Sequence, residues 1–93
     1  MQIEYDDRFI DKFLDIWNFI SEDSVNRATE FEEALKNKIF DIPNFPYSHR
    51  ASIYFDNEAI RDLIFKGYTI PFKIDEANNR IVVLGIVKYQ EKL

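Results

Sequence analysis

The side chains able to move a proton or hold a charged group are unevenly supplied. There is one histidine, His49, and no cysteine. Thiolate chemistry and a disulfide framework are therefore excluded, and a protein-built zinc site lacks its usual ligands. Cations and tyrosines are present in the second half of the chain, among them Arg61, Lys73, Lys88 and Tyr89, with His49 and Arg50 in the preceding loop. Cations of this kind can neutralise an anion, and a tyrosine among them can take up a proton if they lower its pKa. Tyrosine ordinarily titrates near pH ~10, so Tyr89 needs several such neighbours to act as a base. Each residue also has an ordinary role. An Arg or Lys on the open face of a sheet is most often solvated surface, and a lone loop histidine is more often structural than catalytic. No metal or organic cofactor is expected.

The charge distribution narrows the choice of partner. The 93 residues carry a net charge of −5. Residues 1–35 hold three basic and ten acidic groups, −7, whereas residues 36–93 hold nine and seven, +2. An acidic chain gains nothing from the phosphate attraction that dominates nucleic-acid affinity, so general coating of DNA or RNA is disfavoured and a local basic site is confined to the second half. Residues 1–93 are the right length for one domain. With 46% hydrophobic residues, nine Phe and five Tyr against two Gly and three Pro, disordered and low-complexity classes are excluded. The acidic start, Met1 to Asp7, does not suit a secretory signal, and no apolar run approaches the roughly 20 residues of a membrane span. A cytoplasmic protein without a membrane partner is expected.

These groups must be positioned by elements that the periodicity reveals. Gln2-Ile3-Glu4-Tyr5 alternates polar and apolar, as a half-buried strand does. Phe9, Phe13, Ile16, Trp17 and Ile20 fall on one face of a helix running from Asp7 to Ile20, with Asp6 as its N-cap. Ser21-Glu22-Asp23-Ser24 favours caps and turns. Ala28, Phe31, Leu35, Ile39 and Ile42 then make a second helical stripe that Pro43 ends. Two helices joined so tightly form an αα-hairpin. Residues 43–57 show no clean period. Ile60 to Phe65 and Tyr68 to Ile74 read as strands joined by a hairpin at Lys66-Gly67, and Asp75 to Asn79 makes the next turn. The continuously apolar run Ile81 to Val87 suits a strand buried on both faces and is expected at the centre of the sheet. Tyr68, Ile70, Phe72 and Ile74 share a face that the helices should cover. Pro71, lacking an N–H, requires either a bulge or an unpaired side. The fold class is α+β: an N-terminal strand and an αα-hairpin packed on one face of a small antiparallel sheet.

This order of elements, with these residues in these places, resembles the RelE/ParE superfamily of bacterial toxins over nearly the whole chain. The most specific fragments are Ile16-Trp17-Asn18-Phe19-Ile20-Ser21-Glu22-Asp23-Ser24, and Arg61-Asp62-Leu63 followed by Gly67-Tyr68-Thr69-Ile70-Pro71-Phe72-Lys73-Ile74-Asp75. Ala28, Phe31 and Leu35 fit between them, as does Phe45-Pro46. The resemblance implies the toxin of a type II toxin–antitoxin system, a growth inhibitor neutralised by a cognate antitoxin with which it can form higher-order hetero-oligomers.

Two mechanisms occur in that superfamily. ParE-like members poison DNA gyrase and are not enzymes, and the fragment around Trp17 leans this way. RelE-like members cleave mRNA on the ribosome, where 2′-OH attack needs a proton acceptor, a proton donor and positive charge around the phosphate. For that alternative the resemblance points to Arg61, Lys73, Lys88 and Tyr89. The ending Lys88-Tyr89-Gln90-Glu91-Lys92-Leu93 departs from the strongly basic tail of many members, which weakens a ribosome-binding surface. A gyrase poison needs a protein-binding surface instead, with Phe40, Phe45, Tyr47, Tyr54 and Phe55 as candidate anchors. A third reading keeps the fold as a non-toxic antitoxin-binding module.

Overall fold

The computed structural model describes residues 1–88. Its elements run β1 (Gln2–Tyr5), α1 (Asp7–Asp23), α2 (Val25–Asp41), two 3-10 turns (Ile42–Asn44 and Pro46–Ser48), β2 (Arg50–Ala51), β3 (Ile60–Phe65), β4 (Tyr68–Asp75), β5 (Arg80–Val83) and β6 (Val87–Lys88). One mixed sheet has the order β1-β5-β4-β3-β2, with β6 also paired to β4. The helices lie on one face, so the α+β architecture is as expected.

Local signals set the helices. The Asp6 carboxylate accepts from Arg8 N at 2.8 Å and opens α1. One residue, Ser24, both closes α1, donating its N–H to Ile20 O, and opens α2, accepting from Arg27 N at 3.2 Å. The helical break is thus narrower than the four-residue stretch suggested by Ser21 to Ser24, because a single extended residue turns the chain. Pro43 forces the end of α2 into a 3-10 turn. The buried faces Phe9 and Ile16 of α1, and Ala28, Phe31, Leu35 and Ile39 of α2, rest on Ile70, Phe72 and Ile74 of β4 and on Ile81 and Val83 of β5. Stacked and tilted rings link Tyr5, Phe9, Phe13, Phe31 and Phe65 in an unbroken aromatic chain from β1 through both helices to β3, with centroids 5.5–6.3 Å apart.

The sheet departs from expectation in two places. All pairs are antiparallel except β1 with β5, which is parallel with Ile3 opposite Ile81. The centre is β4, and the apolar run Ile81 to Val87 is split into β5 and β6. Pro71 is the reason. Even-numbered residues of β4 bond toward β3, as Ile74 N to Ala59 O does, so Pro71 turns its missing N–H toward the opposite neighbour. There Phe72 faces Val83 and Thr69 faces Val87, which leaves one extra residue on the partner strand. The result is a bulge at Leu84-Gly85-Ile86, with Leu84 N donating to Pro71 O at 2.8 Å. At the other end of β4, Lys66 (φ 47°) and Gly67 (φ 82°) close the β3–β4 hairpin. Two consecutive positive φ values mark the type I′ turn that matches strand twist.

Candidate functional site

The segment after α2 folds back across the helix-covered side of the sheet, over the part of β3 and β4 that the helices do not reach. Arg61 organises it. Its Cα partner across the ladder is Phe72, so Arg61 points to the helix side rather than to the open face. Its Nε donates to Glu58 O at 2.9 Å and its Nη1 to His49 O at 3.2 Å, while the guanidinium carbon lies 5.2 Å from the centre of the Tyr47 ring. His49 in turn sets its ring edge-on against Phe72, with centroids 5.2 Å apart at 90°. Burial pushes the His49 pKa down, opposed by the Asp41 carboxylate. For Tyr47, desolvation first and a hydrogen bond with Glu76 second push the phenol up, away from any role as a base near neutral pH.

The remaining cations lie elsewhere. Lys73 is exposed on the opposite face of the sheet, between Ile60 and Val82. Lys88 sits across from Tyr68, in a cleft of about 200 Å³ that it lines with Lys12, Asp15, Ile16 and Phe19 of α1. Arg50 reaches Asp62 across the β2–β3 pair, Nε to Oδ2 at 3.3 Å. Tyr89 lies outside the described residues. Arg61 and Lys88 share a face but sit on opposite neighbours of β4, four residues apart along it, so strand geometry separates their Cα atoms by roughly 16 Å. The structure thus brings Arg61 and His49 together, through a backbone carbonyl, and leaves Lys73 and Lys88 apart from them. Among the described residues no group of His, Asp and Glu is placed to hold a metal ion.

The aromatic candidates divide. Phe45 is 73% exposed, with Phe40 and Tyr47 also exposed, whereas Tyr54 and Phe55 are half-buried. Phe40, Phe45 and Tyr47 therefore offer large apolar surface at the end of α2 and in the loop that follows. Asp62 lies outside the candidate set that the sequence offers, although a charged residue sharing a strand face with Ile60 and Ile64 is a visible signal. It is fully buried, and its Oδ2 accepts from Ile53 N at 3.1 Å, tying down the loop before β3. No described helix is long and apolar enough to cross a membrane.

Comparison with known proteins places this arrangement. Residues 3–92 match the family model described as ParE toxin of type II toxin-antitoxin system, parDE. No curated protein matches the chain. Nine solved chains do. One, from the chromosomal ParDE toxin–antitoxin system of P. aeruginosa, superposes with a TM-score of 0.75 at 12% identity, over 97% of each chain. Another, the isolated E. coli RelE toxin, gives 0.63 at 13% identity, over 98% of this chain and 86% of that one. At such identities the structural likeness speaks for the fold alone.

Proposed function

The chain belongs to the ParE toxin family of type II toxin–antitoxin systems, and from that premise we propose that it arrests growth by poisoning DNA gyrase and is held inactive by a cognate antitoxin. The observation that favours gyrase over mRNA is the scatter of the cations. Phosphodiester cleavage needs donors and charge converging on one phosphate. Here Arg61 is already engaged by two carbonyls and a ring, Lys73 is on the far face, and Lys88 is on the far side of β4. A protein target, by contrast, is served by exposed aromatics, and Phe40, Phe45 and Tyr47 supply them. A higher-order assembly with the antitoxin is consistent with the shortfall of buried area in so small a domain.

Pulse labelling within minutes of inducing the chain without its antitoxin tests the reading. An early fall in thymidine incorporation with protein synthesis intact is expected. An early fall in amino-acid incorporation would instead make it a ribosome-dependent nuclease acting on mRNA, the alternative in which Arg61, Lys73, Lys88 and Tyr89 carry the chemistry. If neither responds while the neighbouring gene product binds tightly, the chain is an antitoxin-binding module and the gyrase reading fails.

A further inference from the structure

Phe45 combines an exposed ring with a fastened backbone. At 73% it is the most exposed large apolar side chain among the described residues. Yet its N–H donates to the carbonyl of Ile42, a fully buried core residue, at 3.2 Å. Its own carbonyl accepts twice from one residue, from Ser48 N at 3.1 Å and from Ser48 Oγ at 2.7 Å. Pro43 and Pro46 fix φ on either side of it, and Asn44 Nδ2 is tied to Asp41 Oδ1 at 2.8 Å. Beyond Pro46, the Tyr47 ring lies under the Arg61 guanidinium and bonds Glu76. A single exposed apolar residue is ordinary and needs no explanation. Here, however, the torsions around the ring are fixed although the ring itself adds little to the core. The segment is also free of charge. From Ile42 to Ser48 no side chain is charged, in a chain of which 31% is, and depletion of charge around an aromatic is the composition of an interface centre.

We propose that Phe45 is a preformed anchor that enters an apolar pocket of the toxin's protein target, and that Ser48 is the residue that positions it. This rests on the target being a protein, as read above, but not on that protein being gyrase. An aromatic side chain whose backbone is ordered before contact loses little further freedom on binding, so more of its burial appears as affinity. Ser48 matters because its hydroxyl and its N–H close on the same carbonyl, which holds the turn on the C-terminal side of Phe45. A single-stranded nucleic acid also stacks on aromatic rings, but its backbone requires cations alongside, and Ile42 to Ser48 supplies none. A pocket in a protein requires only the ring.

Backbone ¹⁵N relaxation of the full chain measures the first half of the proposal. Amide order parameters at Phe45 and Ser48 are expected at about 0.85, as in the helices, and values below about 0.6 overturn a preformed anchor. Growth arrest is then titrated against the amount of chain made in cells without antitoxin. Phe45→Ala should raise the amount needed about tenfold or more and Ser48→Ala about fivefold, while Ser48→Thr, which keeps the hydroxyl donor, should stay within about twofold of the unaltered chain. Urea midpoints of the three variants should match the unaltered chain. Should Ser48→Ala be destabilised, Phe45→Ala and the order parameters decide. Arrest undiminished by Phe45→Ala, or absent from the unaltered chain, overturns the anchor, and Ser48→Thr no better than Ser48→Ala overturns the positioning role. Undiminished arrest with weakened antitoxin binding would give the ring to the antitoxin and overturn the target as its partner. Supercoiling assays with the pure variants keep this apart from the gyrase reading. Gyrase inhibited equally by the unaltered chain and Phe45→Ala rejects the anchor and leaves gyrase the target; arrest lost by Phe45→Ala, from a chain that leaves gyrase untouched, supports the anchor and removes gyrase.

Discussion

The guanidinium of Arg61 lies over the ring of Tyr47 while its N–H groups hold the carbonyls of Glu58 and His49. One strand residue thereby fastens two separate stretches of the long connection between α2 and β3. Two hydrogen bonds and a cation–π contact of this partly exposed kind are together worth about 1–3 kcal/mol. Arg61→Ala is expected to lose that much in urea unfolding. Arg61→Lys should recover little of it, because an ammonium cannot reach both carbonyls in the plane of a stacked fork. Toxicity lost in proportion to stability would assign Arg61 a holding role; toxicity lost at full stability would return it to the candidate catalytic set.

Ser24 caps two helices at once, so its replacement acts at the joint of the hairpin. Ser24→Ala removes the acceptor for Arg27 N and should cost about 1 kcal/mol, a drop in Tm of roughly 4–8 °C for a domain of this size. Ser24→Asp should be close to neutral. A calorimetric Tm unchanged by the alanine would mean that packing, not the cap, sets the break.

At Gly67 the cost of a side chain is conformational alone. An added Cβ meets nothing within 4 Å, yet φ is +82°. Gly67→Ala should therefore destabilise by about 1 kcal/mol through backbone strain, and Gly67→Asn by less, since Asn tolerates the left-handed region. Equal losses for the two variants would point to a lost contact instead.

His49 makes stability depend on pH. Its pKa is lowered in the folded state by burial, so below the ordinary value near pH ~6.5 the unfolded chain binds the proton more readily than the folded one. The contribution is complete above that value and is lost as pH falls through and below it, modestly because the ring is partly solvated. His49→Gln should flatten the urea midpoint between pH ~7 and ~5. A second loss follows at lower pH. Asp75, held down by its hydrogen bonds to Asn78 and then Arg80, and Asp6, held down by Arg8, contribute above the usual carboxylate range and lose that contribution as they protonate.

Phe45, at 73% exposure, can be truncated with almost no effect on the core. Phe45→Ala should leave the unfolding free energy within the scatter of surface substitutions, about 0.5 kcal/mol. Inhibition of gyrase supercoiling by the pure protein should nonetheless fall at least tenfold if this aromatic anchors the complex. Retained inhibition would move the contact surface away from the loop.

Much of this was legible in the chain alone. The stripes Phe9-Phe13-Ile16 and Ala28-Phe31-Leu35-Ile39, the stop at Pro43 and the turn at Lys66-Gly67 are local, because helical period, proline sterics and glycine φ act within a few residues. The family resemblance likewise rested on ordered local fragments. Tertiary structure decided what depends on distant partners. Nothing in Gln2 to Tyr5 names Ile81 as the neighbour of Ile3, or parallel as the direction. Pro71 announced a missing donor, but only the parity of β4 within the sheet determined that the gap faces the Ile81–Val87 run and breaks it in two. Arg61 and Lys73 were both cations of adjacent strands. Pairing with Phe72 turned one under the loop, while pairing between Ile60 and Val82 left the other in solvent on the opposite face. Side-chain identity is written residue by residue, but the face a strand residue occupies is set by its register with strands far away in sequence.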